Sequence, residues 1–261
     1  MPYKDKQCGF GLAWLLLIIV VLAIAGAGVL VAHKKPKPTA QSSKPSEILY
    51  LKSIGFNLDN YDPVTNRAGD MVFTHEDHDL SSNFHLIFAD FGTQDPRSAG
   101  DPTKRNVQPV FILPLGTNVH SLVTGVVANV EGLYSGDSTV QVSSDGTLNS
   151  YIYETEHIIN PLVKKGDHVT GGQIIGQVST HSSEYHPGFG IVEIGILHPA
   201  ANGQAQHICP FHYLDPSIKS DIQSKILNVH KAWMNYTGMP NLYNDAAAVE
   251  PGCFVLGPAN G

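Results

Sequence analysis

The chain has 261 residues and a mass of 28.1 kDa, room for one large domain or two small ones. With 25 Gly, 17 Pro and only 15% charged residues, its balance favours a turn-rich β protein over a helical bundle or a disordered chain. Residues 1–44 hold six lysines and one acid, whereas residues 45–261 carry 10 basic against 22 acidic side chains, and without a basic stripe this excludes nucleic-acid binding.

Phe10–Ala32 is an uncharged apolar run of 23 residues. As a helix it would span about 34 Å, enough to cross a hydrocarbon core. Ala25-Gly26-Ala27 resembles a signal-peptide cleavage site, but the apolar run continues past it, and Cys8 precedes the run, which does not fit a lipoprotein-type processing site. A retained single-pass membrane anchor is the expectation. Residues 33–46 are rich in Pro, Ser and Lys and read as a solvated stalk. Beyond it, apolar alternations broken by turns predict short strands at Met71–Phe73, Val110–Leu113, Leu122–Val130, Thr139–Val142, Tyr151–Tyr153, Ile174–Val178 and Ile191–Ile196. Asp215 then reads as an N-cap with Pro216 at the first helical position. Ile218, Ile222, Ile226 and Trp233 share one helical face, and Gly238 is the stop.

Three phrases between Leu113 and Ile196 carry most of the information: LPLGTNVHSLVTGVVANV (113–130), YETEHIINPLVKKGDHVTGGQIIGQVST (153–180) and GFGIVEIGI (188–196). Pro114, Gly116, Thr117, Val119, Gly125 and Val127 open the pattern. Val163, Gly166, Asp167, Val169, Gly172, Gln173, Ile175 and Gly176 form its centre, with His157 nine residues before Gly166. This order resembles the LytM/lysostaphin-type peptidoglycan zinc endopeptidases, whose core is the duplicated hybrid motif. The resemblance implies a mainly β fold, a LytM-like β-sandwich or barrel with a C-terminal helix, preceded here by a single transmembrane helix. With the anchor and stalk read from composition, the expected organisation is a cytoplasmic tail at 1–9, anchor at 10–32, stalk at 33–46, a β-rich extension at 47–106, the LytM-like domain at 107–200, and a C-terminal helix and tail at 201–261. Lysine counts on either side of the anchor would place the body in the cytoplasm. The resemblance implies the opposite, an extracytoplasmic body at the cell membrane.

The resemblance also implies where zinc would bind. A His-x-x-x-Asp pair falls on Asn106 and Val110, and a His-x-His falls on Phe189 and Ile191 when Glu193 takes the family's usual Glu. None of the four is a zinc ligand, and hydrolytic zinc needs three protein ligands and an open position for water. The expectation is therefore no cofactor at the family positions and no catalysis there. His157 occupies the place of the family's catalytic or ligand-supporting His. Glu193 sits on a strand and needs a cation, a His or a ligand as partner. His181 and His186 precede the third phrase and could face His157; His85 and Asp90 are further metal candidates; and His75 and His78 could bind a metal jointly, though an acidic surface loop is the simpler reading.

Cys209 and Cys253 bracket the C-terminal helix and are expected to form a disulfide if the body is extracytoplasmic, the alternative being two reduced thiols. Three functions remain open. The first is a degenerate LytM-like protein that binds peptidoglycan or regulates another cell-wall hydrolase. The second is an active zinc endopeptidase whose ligands are drawn from His85, Asp90, His157, His181, His186 and Glu193. The third is a membrane-fusion-type transport adaptor, since biotinyl/lipoyl-like barrels share the Gly-Asp-x-Val pattern. The 41 residues from Gly125 to Gly166, without a heptad, speak against the third.

Overall fold

A computed structural model describes residues 48–75, 85–95, 103–181, 187–198 and 206–259, all within the unit Lys44–Gly261. The anchor and stalk expected at 10–46 lie outside the described residues, as do His78 and His186. Among the described residues, no helix is long and apolar enough to cross a membrane.

The protein is mainly β. Its strands are β1 (Arg67–Ala68), β2 (Met71–Val72), β3 (Phe88–Ala89), β4 (Val110–Pro114), β5 (Asn118–His120) and β6 (Gly125–Gly132), then β7 (Ser138–Ser143), β8 (Ile152–Ile159), β9 (His168–Val169), β10 (Ile174–Val178), β11 (Phe189–His198) and β12 (Gln206–Ile208). β1 and β2 form a small hairpin. The other ten strands make one sheet, ordered β3-β4-β11-β8-β7-β6-β9, with β10 joining β5 to β8 and β12 flanking β11. Within it, β4, β11, β8 and β7 run antiparallel to their neighbours. The Gly166 and Gly172 turns have φ of 90° and 84°, a region that residues with a Cβ avoid.

Side chains alternate across the sheet, as the strand period requires. From β11, Val192, Ile194 and Ile196 join the main core with Phe111 and Leu113 of β4 and Tyr153 of β8. Phe88 stacks on Phe111, their centroids 4.6 Å apart. The intervening residues Phe189, Ile191 and Glu193 face the other way, where Phe189 and Ile191 cluster with Ala89, Val110 and Ile112.

The helix α1 (Pro216–Thr237) starts and stops where the sequence places it. The Asp215 side chain accepts a hydrogen bond from the Ser217 N–H at 2.9 Å and pairs with Lys52. Gly238 takes the left-handed cap conformation and donates its N–H to the Met234 carbonyl. Ile226, Val229, His230 and Trp233, spaced i, i+3, i+4 and i+7, are buried, while Ile218 and Ile222 are half-buried against the core. A disulfide joins Cys209 to Cys253 across 44 positions. The following tail runs beside the residues just after β3: Phe91 N–H donates to the Gly252 carbonyl at 3.0 Å, and the Phe91 carbonyl accepts from Phe254 N–H at 2.9 Å. Tyr243 Oη accepts from Phe88 N–H at 3.1 Å and donates to the Phe88 carbonyl at 2.8 Å.

Candidate functional site

β8 carries the chemistry-bearing residues and is distorted where they lie. Against β7, Ser138 pairs with Ile158 but Val140 pairs with Thr155, so β8 has one extra residue between these pairs. His157, inside that bulge, has φ of 63°, a strained value for a residue with a Cβ. The bulge lets Glu156 and His157, consecutive in sequence, offer ligand atoms to one place. A regular strand would point them to opposite faces. Ser179 N–H donates to the His157 carbonyl at 3.0 Å and pins the distortion.

The imidazole is held from behind. His157 Nδ1 lies 3.0 Å from Asp137 Oδ2. Ser179 donates its hydroxyl to the same carboxylate oxygen, and Ser135 donates to Oδ1. Burial alone would raise the pKa of Asp137, but the Ser135 and Ser179 hydrogen bonds and the His157 neighbour leave it below the usual carboxylate value. Asp137 is thus an anionic acceptor, and Nδ1 carries the proton it accepts. Burial lowers the His157 pKa, against an opposing pull from Glu193 and Asp137. At neutral pH the ring is therefore neutral, and its Nε2 presents a lone pair.

That Nε2 lies 3.9 Å from Glu193 Oε1, with both residues 4% exposed. Glu193 is the cross-strand partner of Glu156. Ligand atoms of Glu156, His157 and Glu193 all lie within 4.8 Å of one another, the one group of three such side chains among the described residues. Glu154 shares this face over Gly195, where a Cβ would come within 2.9 Å of its Oε1. It accepts hydrogen bonds from Gln108 at 3.0 Å and Gln141 at 3.3 Å. Burial first, and then the Glu156 charge, push its pKa up to about 8.

His181 stacks on His157 with ring centroids 4.0 Å apart, so the structure brings those two together. His85 and Asp90 do not join them. The His85 carbonyl accepts from Trp233 Nε1 at 2.8 Å, and Asp90 Oδ1 lies 3.5 Å from His230 Nε2. His230 in turn contacts Asp245 at 2.6 Å, linking the residue after β3, α1 and the tail. His75 stacks on Tyr236, with centroids 4.4 Å apart. Sequence reasoning missed Asp137 and Glu156. Asp137 lies in a turn 20 positions from His157, and nothing in a period-two pattern announces a bulge.

Zinc does not fit the positions to which the resemblance assigns it. Asn106 is 1% exposed and its Nδ2 donates to the carbonyls of Ala89 at 3.1 Å and Asp90 at 2.9 Å. Val110 and Ile191 belong to the apolar cluster, with Phe189 beside them. Three aliphatic or aromatic side chains and a committed carboxamide supply no imidazole or carboxylate.

No protein-family model matches the chain, and no curated protein matches it. Among solved structures the chain is similar to lysostaphin and to a prophage-encoded M23 protein. It is 20% identical to lysostaphin in its solution structure over 52% of this chain, with a TM-score of 0.37, and spans only 53% of that protein's length. It is 25% identical to a mutant catalytic domain of the prophage-encoded M23 protein EnpA from Enterococcus faecalis over 47% of this chain and 85% of that one, with a TM-score of 0.35. Against the catalytic domain of the antimicrobial peptidase lysostaphin from Staphylococcus simulans the identity is 19% over 50% and 94% of the two chains, with a TM-score of 0.35.

Proposed function

We propose that this chain is a membrane-anchored, cell-wall-associated protein whose LytM-like domain binds peptidoglycan, or through it restrains another wall hydrolase, without cutting at the family's own zinc position. Residues 10–32 are the anchor in this reading and the body is extracytoplasmic. One observation supports the absence of cutting there: Val110, Phe189 and Ile191 pack into an apolar cluster where the motif would put zinc ligands, and Asn106 is bonded to backbone carbonyls beside it. Without a metal at that point, water there keeps its bulk pKa near 15.7 and supplies no nucleophile at neutral pH. A second reading, an endopeptidase with rearranged ligands, is favoured by the convergence of His157 with Glu193 and Glu156.

Incubating the full-length chain with purified peptidoglycan sacculi tests both. The first reading expects the chain to sediment with the sacculi while no soluble fragments or new amino groups appear. Chelator-sensitive release of fragments would replace it with the second, and failure to sediment at all would remove peptidoglycan as the ligand.

A further inference from the structure

We propose that Glu156, His157 and Glu193 bind a divalent transition-metal ion, zinc in the first instance, at a place offset across the sheet from the family positions. This inference stands whether or not peptidoglycan is the partner.

The first support is distance. His157 Nε2 and Glu193 Oε1 are 3.9 Å apart, too far for a good hydrogen bond. Two ligands on one zinc ion, each about 2.1 Å from it, lie roughly 3.4 Å apart at a tetrahedral angle and no more than about 4.2 Å at the widest. The pair thus brackets an ion after a movement of a few tenths of an ångström. Glu156, opposite Glu193 and half-buried, supplies the third ligand atom within the same 4.8 Å limit.

The second support is the arrangement behind the ligands. Metal-bound histidines characteristically donate their other ring N–H to a carboxylate, which fixes the tautomer and the ring plane. Asp137 accepts in this way from His157 Nδ1 at 3.0 Å, and is itself held by Ser135 and Ser179. A histidine serving only to fill space needs no such chain of orienting groups.

The third support is the backbone. The β8 bulge, with its strained φ of 63° at His157, is what gathers Glu156 and His157 around one point. Strain of this kind persists where the surrounding fold holds it, and it gathers at functional positions. One imidazole and two carboxylates form a nitrogen and oxygen set suited to Zn²⁺, and less tightly to Mn²⁺, rather than to soft-metal chemistry. Three protein ligands leave coordination positions for water or an oxygen donor of a bound molecule.

The test uses the full-length chain in a Cys8→Ser background, so that no free thiol competes, stripped with EDTA and titrated with Zn²⁺ alone against a chromophoric chelator. One equivalent is expected to bind at micromolar concentration or tighter, with Mn²⁺ weaker. Glu193→Gln and Glu156→Gln should each weaken it at least 100-fold, and Asp137→Asn about 10–100-fold. Circular dichroism of each variant keeps loss of folding apart from loss of a ligand, and Glu156→Gln, at a half-buried position, is the variant least exposed to that confusion. Absence of stoichiometric zinc binding by the folded chain would overturn the proposal. So would binding that Glu193→Gln and Glu156→Gln leave unchanged. Neither result depends on wall material, so this inference and the peptidoglycan reading fail separately.

Discussion

Val110 of β4 is the cross-strand partner of Glu193 of β11, and Glu156 of β8 is its partner on the opposite side. Glu193 therefore marks a border on one face of the sheet. On the β4 side the neighbours are Val110, Ile112, Ile191 and Phe189; on the β8 side they are Glu154, Glu156 and His157. A carboxylate moved across that border enters an apolar cluster.

Val110→Asp should accordingly be costly. It places a second carboxylate directly opposite Glu193, and like charges facing each other across a strand pair destabilise it. Burying an unpaired charge adds to that, for a total on the order of 3 kcal/mol or more. Val110→Asn, polar but neutral, should lose less. Urea denaturation of both variants at pH 7.5 gives the comparison, and equal midpoints for Val110→Asp and the parent would contradict the packing described for this cluster.

Asp90 predicts a pH dependence. Burial, outweighing the pull of His230, raises its pKa to about 6 from the ordinary 3.8. The folded state holds that proton more tightly than the unfolded state. The contribution is therefore fully present below about pH 3.8 and is lost as pH rises through about 6. Asp90→Asn removes the titration. Its stability relative to the parent should rise between pH 4 and 7 by about 2 kcal/mol and level off above. Thermal melts across that range would show it, and a difference independent of pH would count against the buried carboxyl.

Reduction of Cys209–Cys253 should destabilise the body substantially. Closing a loop of 44 positions restricts the unfolded chain, and the chain-entropy model gives about 4 kcal/mol for it. Melting with and without a thiol reductant, alongside the Cys209→Ala/Cys253→Ala double variant, measures it. A melting temperature lowered by less than a degree in both would show that other contacts already fix the tail.

Tyr243→Phe removes one oxygen and two hydrogen bonds. Tyr243 Oη serves both the N–H and the carbonyl of Phe88, a residue only 2% exposed. Leaving those groups without a partner should cost about 1–3 kcal/mol, read from the shift in urea midpoint. A neutral result would mean that water takes the place of the hydroxyl.

Much of the fold was legible because it rests on local rules. Asp215, Pro216 and Gly238 each act within a turn of the helix they delimit, and the structure gives Pro216–Thr237. Ile174–Val178, bounded by the Gly171-Gly172 turn, forms the strand over those same residues. Leu122–Val130 was less well bounded: β6 begins only at Gly125, because Leu122 and Val123 are buried in the preceding turn rather than paired. β8 runs on to Ile159, well beyond the Tyr151–Tyr153 stretch expected, since Glu154 and Glu156 are polar residues facing a polar half of the sheet. The candidate site was legible only in part. His157 and Glu193 stood out by motif position, but their meeting depends on strand register, which a single sequence does not encode locally. Glu156 became visible only with the bulge that gathers it beside His157, and Asp137 only with its hydrogen bond to that ring.

The tail beside β3 also limits how another chain can engage this protein. A sheet margin with free N–H and carbonyl groups invites an extended peptide to zip on as an additional strand. Here those groups of Phe88 and Phe91 are already taken by Tyr243, Gly252 and Phe254. An extended peptide cannot augment the sheet along β3 without first displacing the protein's own C-terminal segment, which the Cys209–Cys253 link holds down. That margin is self-occupied, and a partner must be recognised through side chains elsewhere on the surface instead of by backbone pairing there.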